Sequence, residues 1–222
     1  MRKKKFGASK TLIYFLPYKR VKKTRFFCYN INGCDYMQVI VGISKRHIHL
    51  TEDTYIKLFG DNNISIRNKL NQKGEFASNS VLTIKNEDKE IDNVRVVGPF
   101  REYNQIEIAR SDAEVLGVNP PVRNSGDLEE SSSITVIGPL GEVVLENALI
   151  IAQRHLHISP EEAKVLGLEN NQKISFPIYN EKGESLEVYV KHTKNGVAEI
   201  HIDNDEALVY NLKTGDMIDY EF

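Results

Sequence analysis

The chain has 222 residues, enough for one large domain or two small ones, and its 41% hydrophobic and 27% charged content is that of an ordinary water-soluble protein. No apolar run is long enough to span a membrane, and Cys28 and Cys34 are too few for a disulfide framework, so a cytoplasmic setting is expected. The net charge of −2 conceals an asymmetry: residues 1–36 hold ten of the 29 basic side chains and one of the 31 acids, leaving an acidic body that is a poor nucleic-acid binder.

In chain order, residues 1–36 read as a basic N-terminal extension, either disordered or not native, since Met37 stands just before the first well-patterned strand. Pro17 and Lys19 interrupt its apolar stretch, which makes it a weak match to a signal peptide. Val39-Ile40-Val41 predicts a strand that runs into Arg46-His47-Ile48-His49. A helix follows from Thr51 to Phe59 and stops at Gly60. Short β-branched runs at 81–84, 94–97 and Gln105–Ile108 predict strands, with a turn at Lys73-Gly74. Ser111 is read as the cap of a short helix ending at Gly117.

The polar stretch Asn124–Ser133 is the expected link between a first domain, 37–124, and a second, 125–222. Strands are expected at 134–137 and 142–145, around the turn Leu140-Gly141. The apolar Leu149-Ile150-Ile151 then leads into Arg154-His155-Leu156-His157. Ser159, Pro160 and Glu162 form a helix start, and that helix ends at Gly167. A strand at 186–190 follows, between the turns Lys182-Gly183 and Asn195-Gly196. The alternating strand Glu199–Asp203 and a helix starting near Asp203 complete the pattern. The fold class predicted is mostly β with short α-helices: two small β-barrel domains related by an internal repeat, with a cleft between them as the natural site.

The two Arg-His-x-His copies carry the chemistry. Alternate residues of a strand share a face, so His47 pairs with His49, and His155 with His157. A lone strand histidine is usually a surface or hydrogen-bonded residue, and His192 is read that way. Two copies, each behind an arginine and at matching repeat positions, point instead to two metal sites or one paired site. Each pair needs further ligands, and His201 and Glu107 are the candidates. Arg46 and Arg154 either pair with acids on the following helices or meet an anionic substrate. Arg101, after the turn Gly98-Pro99, is the sharper anion candidate. A Ser/His/Asp arrangement, a Gly-x-Gly-x-x-Gly fingerprint and a P-loop are all missing from the sequence.

Several segments together give the chain a family resemblance: 41–50, Gly98-Pro99-Phe100-Arg101 with Gln105–Ile108, 116–128, 154–161 and His201-Ile202-Asp203. From about Met37 to Asp219 it resembles the PduL-type phosphate propanoyltransferases, the zinc-dependent phosphotransacylases. The resemblance implies two β-barrels with two Zn2+ per chain between them, one held by His47, His49 and Glu107, the other by His155, His157 and His201. It implies that Arg101 holds phosphate. The reaction implied is reversible: a short-chain acyl-CoA such as propanoyl-CoA plus phosphate gives acyl phosphate plus CoA. Lys45, Arg46, Arg123 and Arg154 are candidates for a basic rim that meets the CoA phosphates. Self-association is left open. Family members of propanediol-degrading bacterial microcompartments carry an amphipathic N-terminal targeting helix, which residues 1–36 do not resemble. Phe100 and Tyr103 flank Arg101 where smaller or more polar residues are expected. The rival readings are a zinc hydrolase of a thioester or phosphoester, which would release CoA without phosphate, and a non-catalytic metal-stabilised module.

Overall fold

A computed structural model of the chain describes residues 27–31, 34–178, 184–194 and 196–221. Most of the basic extension and the turn Lys182-Gly183 lie outside the described residues. The strands in chain order are β1 (Phe27–Ile31), β2 (Cys34–Ser44), β3 (His47–His49), β4 (Ile66–Lys69), β5 (Phe76–Asn86), β6 (Lys89–Gly98) and β7 (Gln105–Ile108). They continue with β8 (Val122–Arg123), β9 (Ser132–Gly138), β10 (Gly141–Ala152), β11 (His155–Ile158), β12 (Lys173–Pro177), β13 (Ser185–His192), β14 (Glu199–Asp203) and β15 (Met217–Glu221). Helices α1 (Glu52–Phe59), α2 (Arg110–Leu116), α3 (Pro160–Leu166) and α4 (Asn204–Tyr210) are all short, and none is long and apolar enough to cross a membrane.

The first sheet closes on itself: β5 pairs with β6, β6 with β3, β3 with β7, β7 with β10, β10 with β9, and β9 with β5. The second sheet runs β12-β13-β11-β14-β2-β15, and β12 lies beside β15, which nearly completes a second barrel. Each barrel has its own apolar core. Ile48, Leu58, Ile106 and Leu149 are fully buried in the first, and Val41, Leu156, Phe176 and Ile200 in the second. The two are built alike. Strand β3 is parallel to β6 and antiparallel to β7, as β11 is parallel to β13 and antiparallel to β14.

The sheets draw strands from both sides of the 37–124 and 125–222 division. Strand β2 belongs to the second sheet, yet it continues through Lys45 and Arg46 into β3 of the first. Strand β10 belongs to the first and continues through Gln153 and Arg154 into β11 of the second. The polar stretch 124–133 therefore joins β8 and β9 of one sheet instead of linking the two barrels. Strand β2 also begins at Cys34, earlier than Val39, and pairs with β1 in an antiparallel hairpin, so the chain is ordered into the sheet before Met37.

Helix starts follow their caps. Thr51, Ser159 and Asp203 each accept from the backbone three residues on, and Glu162 and Glu206 close the reciprocal bond. Helix α2 departs from expectation. Its cap is Ala109, whose backbone N–H donates to the Asp112 carboxylate at 3.2 Å, while Ser111 sits in the first turn and bonds Asp205.

Candidate active site between the barrels

The barrel topology turns two sequence pairs into two three-residue groups. On β3, His47 stands opposite Glu107 of β7. On β11, His155 stands opposite His201 of β14. Glu107 and His201 thus occupy the same position in the two barrels. Within each group, His47/His49/Glu107 and His155/His157/His201, the ligand atoms lie within 4.8 Å of one another. Both groups line one cavity of about 1020 Å³, together with Arg101, Lys191 and Glu75.

Hydrogen bonds fix the ring tautomers. Nδ1 of His47 bonds the Lys45 carbonyl at 2.8 Å, Nδ1 of His49 the Val97 carbonyl at 3.0 Å, and Nδ1 of His155 the Gln153 carbonyl at 2.7 Å. A carbonyl only accepts, so Nδ1 carries the proton in each ring and Nε2 presents a lone pair. His157 Nδ1 bonds Thr193 Oγ1 at 2.8 Å, and that hydroxyl can donate to the Lys191 carbonyl at 3.5 Å. The Nε2 atoms of His155 and His157 then face each other at 3.0 Å with a lone pair on each. That repulsive arrangement becomes attractive once a cation sits between them, so the donor set fits a metal ion. His201 uses its other nitrogen: Nε2 bonds Glu199 at 3.1 Å, which leaves Nδ1 for a ligand.

The third residue of each group is held by the residue two before it. Gln105 donates to Glu107 at 2.6 Å and is itself fixed by Ser125 and Gly126. Glu199 bonds His201 and accepts from Asn71 at 2.9 Å and Gln72 at 3.0 Å, both on the loop between β4 and β5 of the other barrel. Outer partners of this kind orient ligands and raise their basicity. Gly42 on β2 gives Glu199 its room, since a Cβ there would lie 2.7 Å from Glu199 Oε1.

The electrostatics favour the ligand forms. Burial, with the neighbouring His201 and Lys191 charges, lowers the His155 pKa to about 3, and burial likewise holds His49 and His157 well below the ordinary imidazole range. Burial alone would raise Glu107, but in the acid range where it titrates the cationic forms of His47, His49 and His155, with Lys191, outweigh it and lower the carboxyl to about 2. Neutral imidazoles and an ionised carboxylate are the states that bind metal.

Arg101 enters the cavity from the loop after β6. Its backbone N–H donates to Leu50 at 2.9 Å, Nη1 to Tyr103 Oη at 3.0 Å, and Nη2 to Glu75 at 3.0 Å. Phe100 turns the other way and packs on Tyr55 against the first core, at 5.2 Å between ring centroids. Lys45 and Arg46 line the cavity, but Arg46 is ion-paired with Asp112 of α2. Arg154 repeats that pairing with Glu206 of α4 at 3.2 Å and lies outside the cavity lining, as does Arg123, which sits 4.0 Å from Asp127. The arginine of each repeat thus ties its strand to the helix that follows the third ligand strand, and does not reach the helix directly after it. His192 is half-buried and bonds the Leu168 carbonyl at 3.2 Å. Sequence reasoning overlooked Gln105, Glu199, Lys191, Asn71, Gln72 and Glu75. Only Gln105 and Glu199 carried a signal, as polar residues two before the third candidate ligand on the same strand face.

A family model described as phosphate propanoyltransferase matches residues 40–213. Proteins named phosphate propanoyltransferase are similar over most of their length. The one from Thermotoga maritima is 39% identical over 185 residues, 81% of this chain and 87% of that protein. The one from Rhodopseudomonas palustris is 37% identical over 84% of this chain and 83% of that protein, and the one from Citrobacter freundii 37% over 75% and 80%.

Proposed function

The chain belongs to the phosphate propanoyltransferase family, and on that premise we propose that it moves a short-chain acyl group, propanoyl first among them, from CoA to inorganic phosphate, reversibly. The observation that carries this reading is the meeting, in one cavity, of two groups built to hold metal with an arginine suited to phosphate. His47, His49 and Glu107 would hold one ion, and His155, His157 and His201 the other. Imidazole-rich sets with at most one carboxylate suit zinc, and three protein ligands leave a position open to substrate. Bound ions supply charge neutralisation and polarise a phosphate or carbonyl oxygen.

The protein's own groups do the positioning. The Arg101 guanidinium offers a fork that matches two phosphate oxygens, and Tyr103 and Glu75 hold that fork in place. Phosphate fixed there presents an oxygen to the thioester carbonyl carbon. A carbon–oxygen bond forms, the carbon–sulfur bond breaks, and the CoA thiolate leaves and takes a proton from solvent. A thiolate is a good leaving group, so no general acid is needed. The gain comes from holding two anionic reactants in line within a partly enclosed site. The test is CoA release from acetyl-, propanoyl- and butanoyl-CoA with and without phosphate, alongside metal analysis. Release that requires phosphate, by protein holding about two zinc per chain, is the expected result. Release without phosphate would make the protein a hydrolase.

A further inference from the structure

Lys191 is a half-buried charged side chain of this cavity that neither the metal groups nor Arg101 accounts for; Lys45, Arg67, Lys69 and Lys73 also line the cavity but are exposed. It lies on β13, in register with His157 on β11, one step after the pair Leu156 and Val190. Those two are fully buried in the second core, so the alternation of the strands turns His157 and Lys191 to the opposite side, into the cavity. Among the described residues, no carboxylate lies within ion-pair distance of its ammonium. Its charge is felt by Glu107 of one ligand group and by His155 and His157 of the other. Arg101 and Glu75 in turn act on it. It therefore shares the cavity with both groups and with the arginine, within electrostatic reach of each.

The two barrels differ here. In the first, β6 pairs with β3 through Arg95 opposite His47 and Val96 opposite Ile48, and one further step brings Val97, an apolar residue, to the place that Lys191 holds in the second. At this position only the second half carries a cation; two residues earlier the first half has Arg95 where the second has Tyr189. A half-buried ammonium with no carboxylate at ion-pair distance among the described residues is costly, and burial pushes its pKa down although Glu107 and Glu75 oppose the shift. An anion arriving in the cavity removes that cost. Arg101, by contrast, already has Glu75 and Tyr103 as partners.

We propose that Lys191 is a second phosphate-binding residue, whose ammonium contacts an oxygen of inorganic phosphate, or of the phosphoryl group of the acyl phosphate product, on the side of the anion facing the second barrel. This rests on the phosphotransacylase reading for its substrate. The test uses the metal-replete enzyme as purified, with Lys191→Met and Lys191→Arg. Each is titrated calorimetrically with inorganic phosphate and assayed for KM of phosphate and of propanoyl-CoA, with metal content and Tm measured alongside. The Met variant should weaken phosphate binding and raise the phosphate KM about 10- to 100-fold, the range for losing a hydrogen bond to a charged group. It should leave the propanoyl-CoA KM, metal content and Tm near wild type, and Arg should restore most of the loss. Unchanged phosphate affinity in the Met variant overturns the assignment, as does an equal rise in both KM values or a loss of metal. Where Met does not fold, Lys191→Gln takes its place, and failure of both to fold makes the residue structural and also overturns it. If wild type shows no phosphate-dependent CoA release, the phosphotransacylase reading fails, and the direct phosphate titration still decides the role of Lys191.

Discussion

Gly42→Ala is the sharpest small perturbation of the second ligand group. In the parallel pairing of β14 with β2, Gly42 is the partner of His201. A methyl built there lies 2.7 Å from Glu199 Oε1, 3.1 Å from its Cδ and 3.2 Å from His201 Cδ2. Ordinary contact begins near 3.4 Å, so Glu199 must retreat by about 0.7 Å. It has little freedom to do so, being 4% exposed and held by Asn71, Gln72 and His201. Overpacking of this kind costs about 1–3 kcal/mol, and the gain from stiffening the unfolded chain returns roughly 0.4–1 kcal/mol. The net loss of about 1–2 kcal/mol corresponds to a Tm lower by roughly 2–8 °C. The more telling effect is on metal: displacing an outer partner of a ligand weakens binding about 10- to 100-fold. Dialysis against graded chelator, followed by metal analysis, should find one ion lost early and the other retained. Gly138→Ala is the control, since its methyl would meet Leu58 Cβ and O at 2.8 Å in the first barrel. It should lower Tm without changing chelator resistance. Retention of both ions at wild-type chelator levels, with Tm unchanged to within about 1 °C, would refute the claim that Glu199 is rigidly held and orients His201.

Arg101→Ala should raise the phosphate KM far more than the acyl-CoA KM, with Lys rescuing only in part because a point charge lacks the guanidinium fork; steady-state kinetics decide it. Arg154→Met should cost at most about 1 kcal/mol, as the loss of a half-exposed ion pair does, and leave the CoA KM unchanged; a raised CoA KM would restore Arg154 to the substrate rim. The metal-free protein should lose stability on acidification. His49, His155 and His157 have folded pKa values below the ordinary 6.5, so the unfolded chain binds more protons, and their stabilisation is present above about pH 6.5 and falls away below it. Glu107, also depressed, adds a loss of the same sign as pH falls from about 4.5 toward 2. Melting curves of the chelated protein between about pH 8 and 5 check this, and a flat profile would contradict the neutral state of the buried rings. Truncation to Met37 removes β1 and the start of β2 but leaves the pairing of β2 with β14 intact, so the protein should fold with a Tm lower by a few degrees.

The histidine pairs were legible because their information is local. A strand repeats every two residues, so His-x-His declares a shared face, and a second copy behind the same arginine declares a repeat. The helix ends were legible for the same reason, and the one miss, at Ser111, came where a carboxylate and a bare Ala109 did the work expected of a hydroxyl. What stayed hidden depends on pairing over long sequence distance. Nothing near Gly42 announces that Glu199 lies above it, and nothing near Gln72 announces that it reaches Val197 and Glu199 across the cleft. Arg46 could be seen to need an anion, a helix acid or a substrate, but the choice of Asp112 follows from where β7 delivers α2. Lys191 lies just past the strand expected at 186–190 and carried no signal, because the outward side of β13 becomes the wall of a cavity only when the other barrel is in place.

The traded strands also set an order of events at the ribosome. All strands of the first barrel have been synthesised once residue 152 emerges, and that barrel can close early. Strand β2 can then pair only with β1. Its other partners are Glu199–Asp203 and Met217–Glu221, at the far end of the chain. At ordinary elongation rates the apolar residues Met37, Val39 and Val41 wait on the order of ten seconds for their sheet to exist. A nascent chain of this protein therefore carries a complete set of first-barrel strands and a leading apolar strand whose long-range partners do not yet exist. An mRNA truncated between the codons for residues 44 and 199 yields a product in which β2 lacks both β14 and β15.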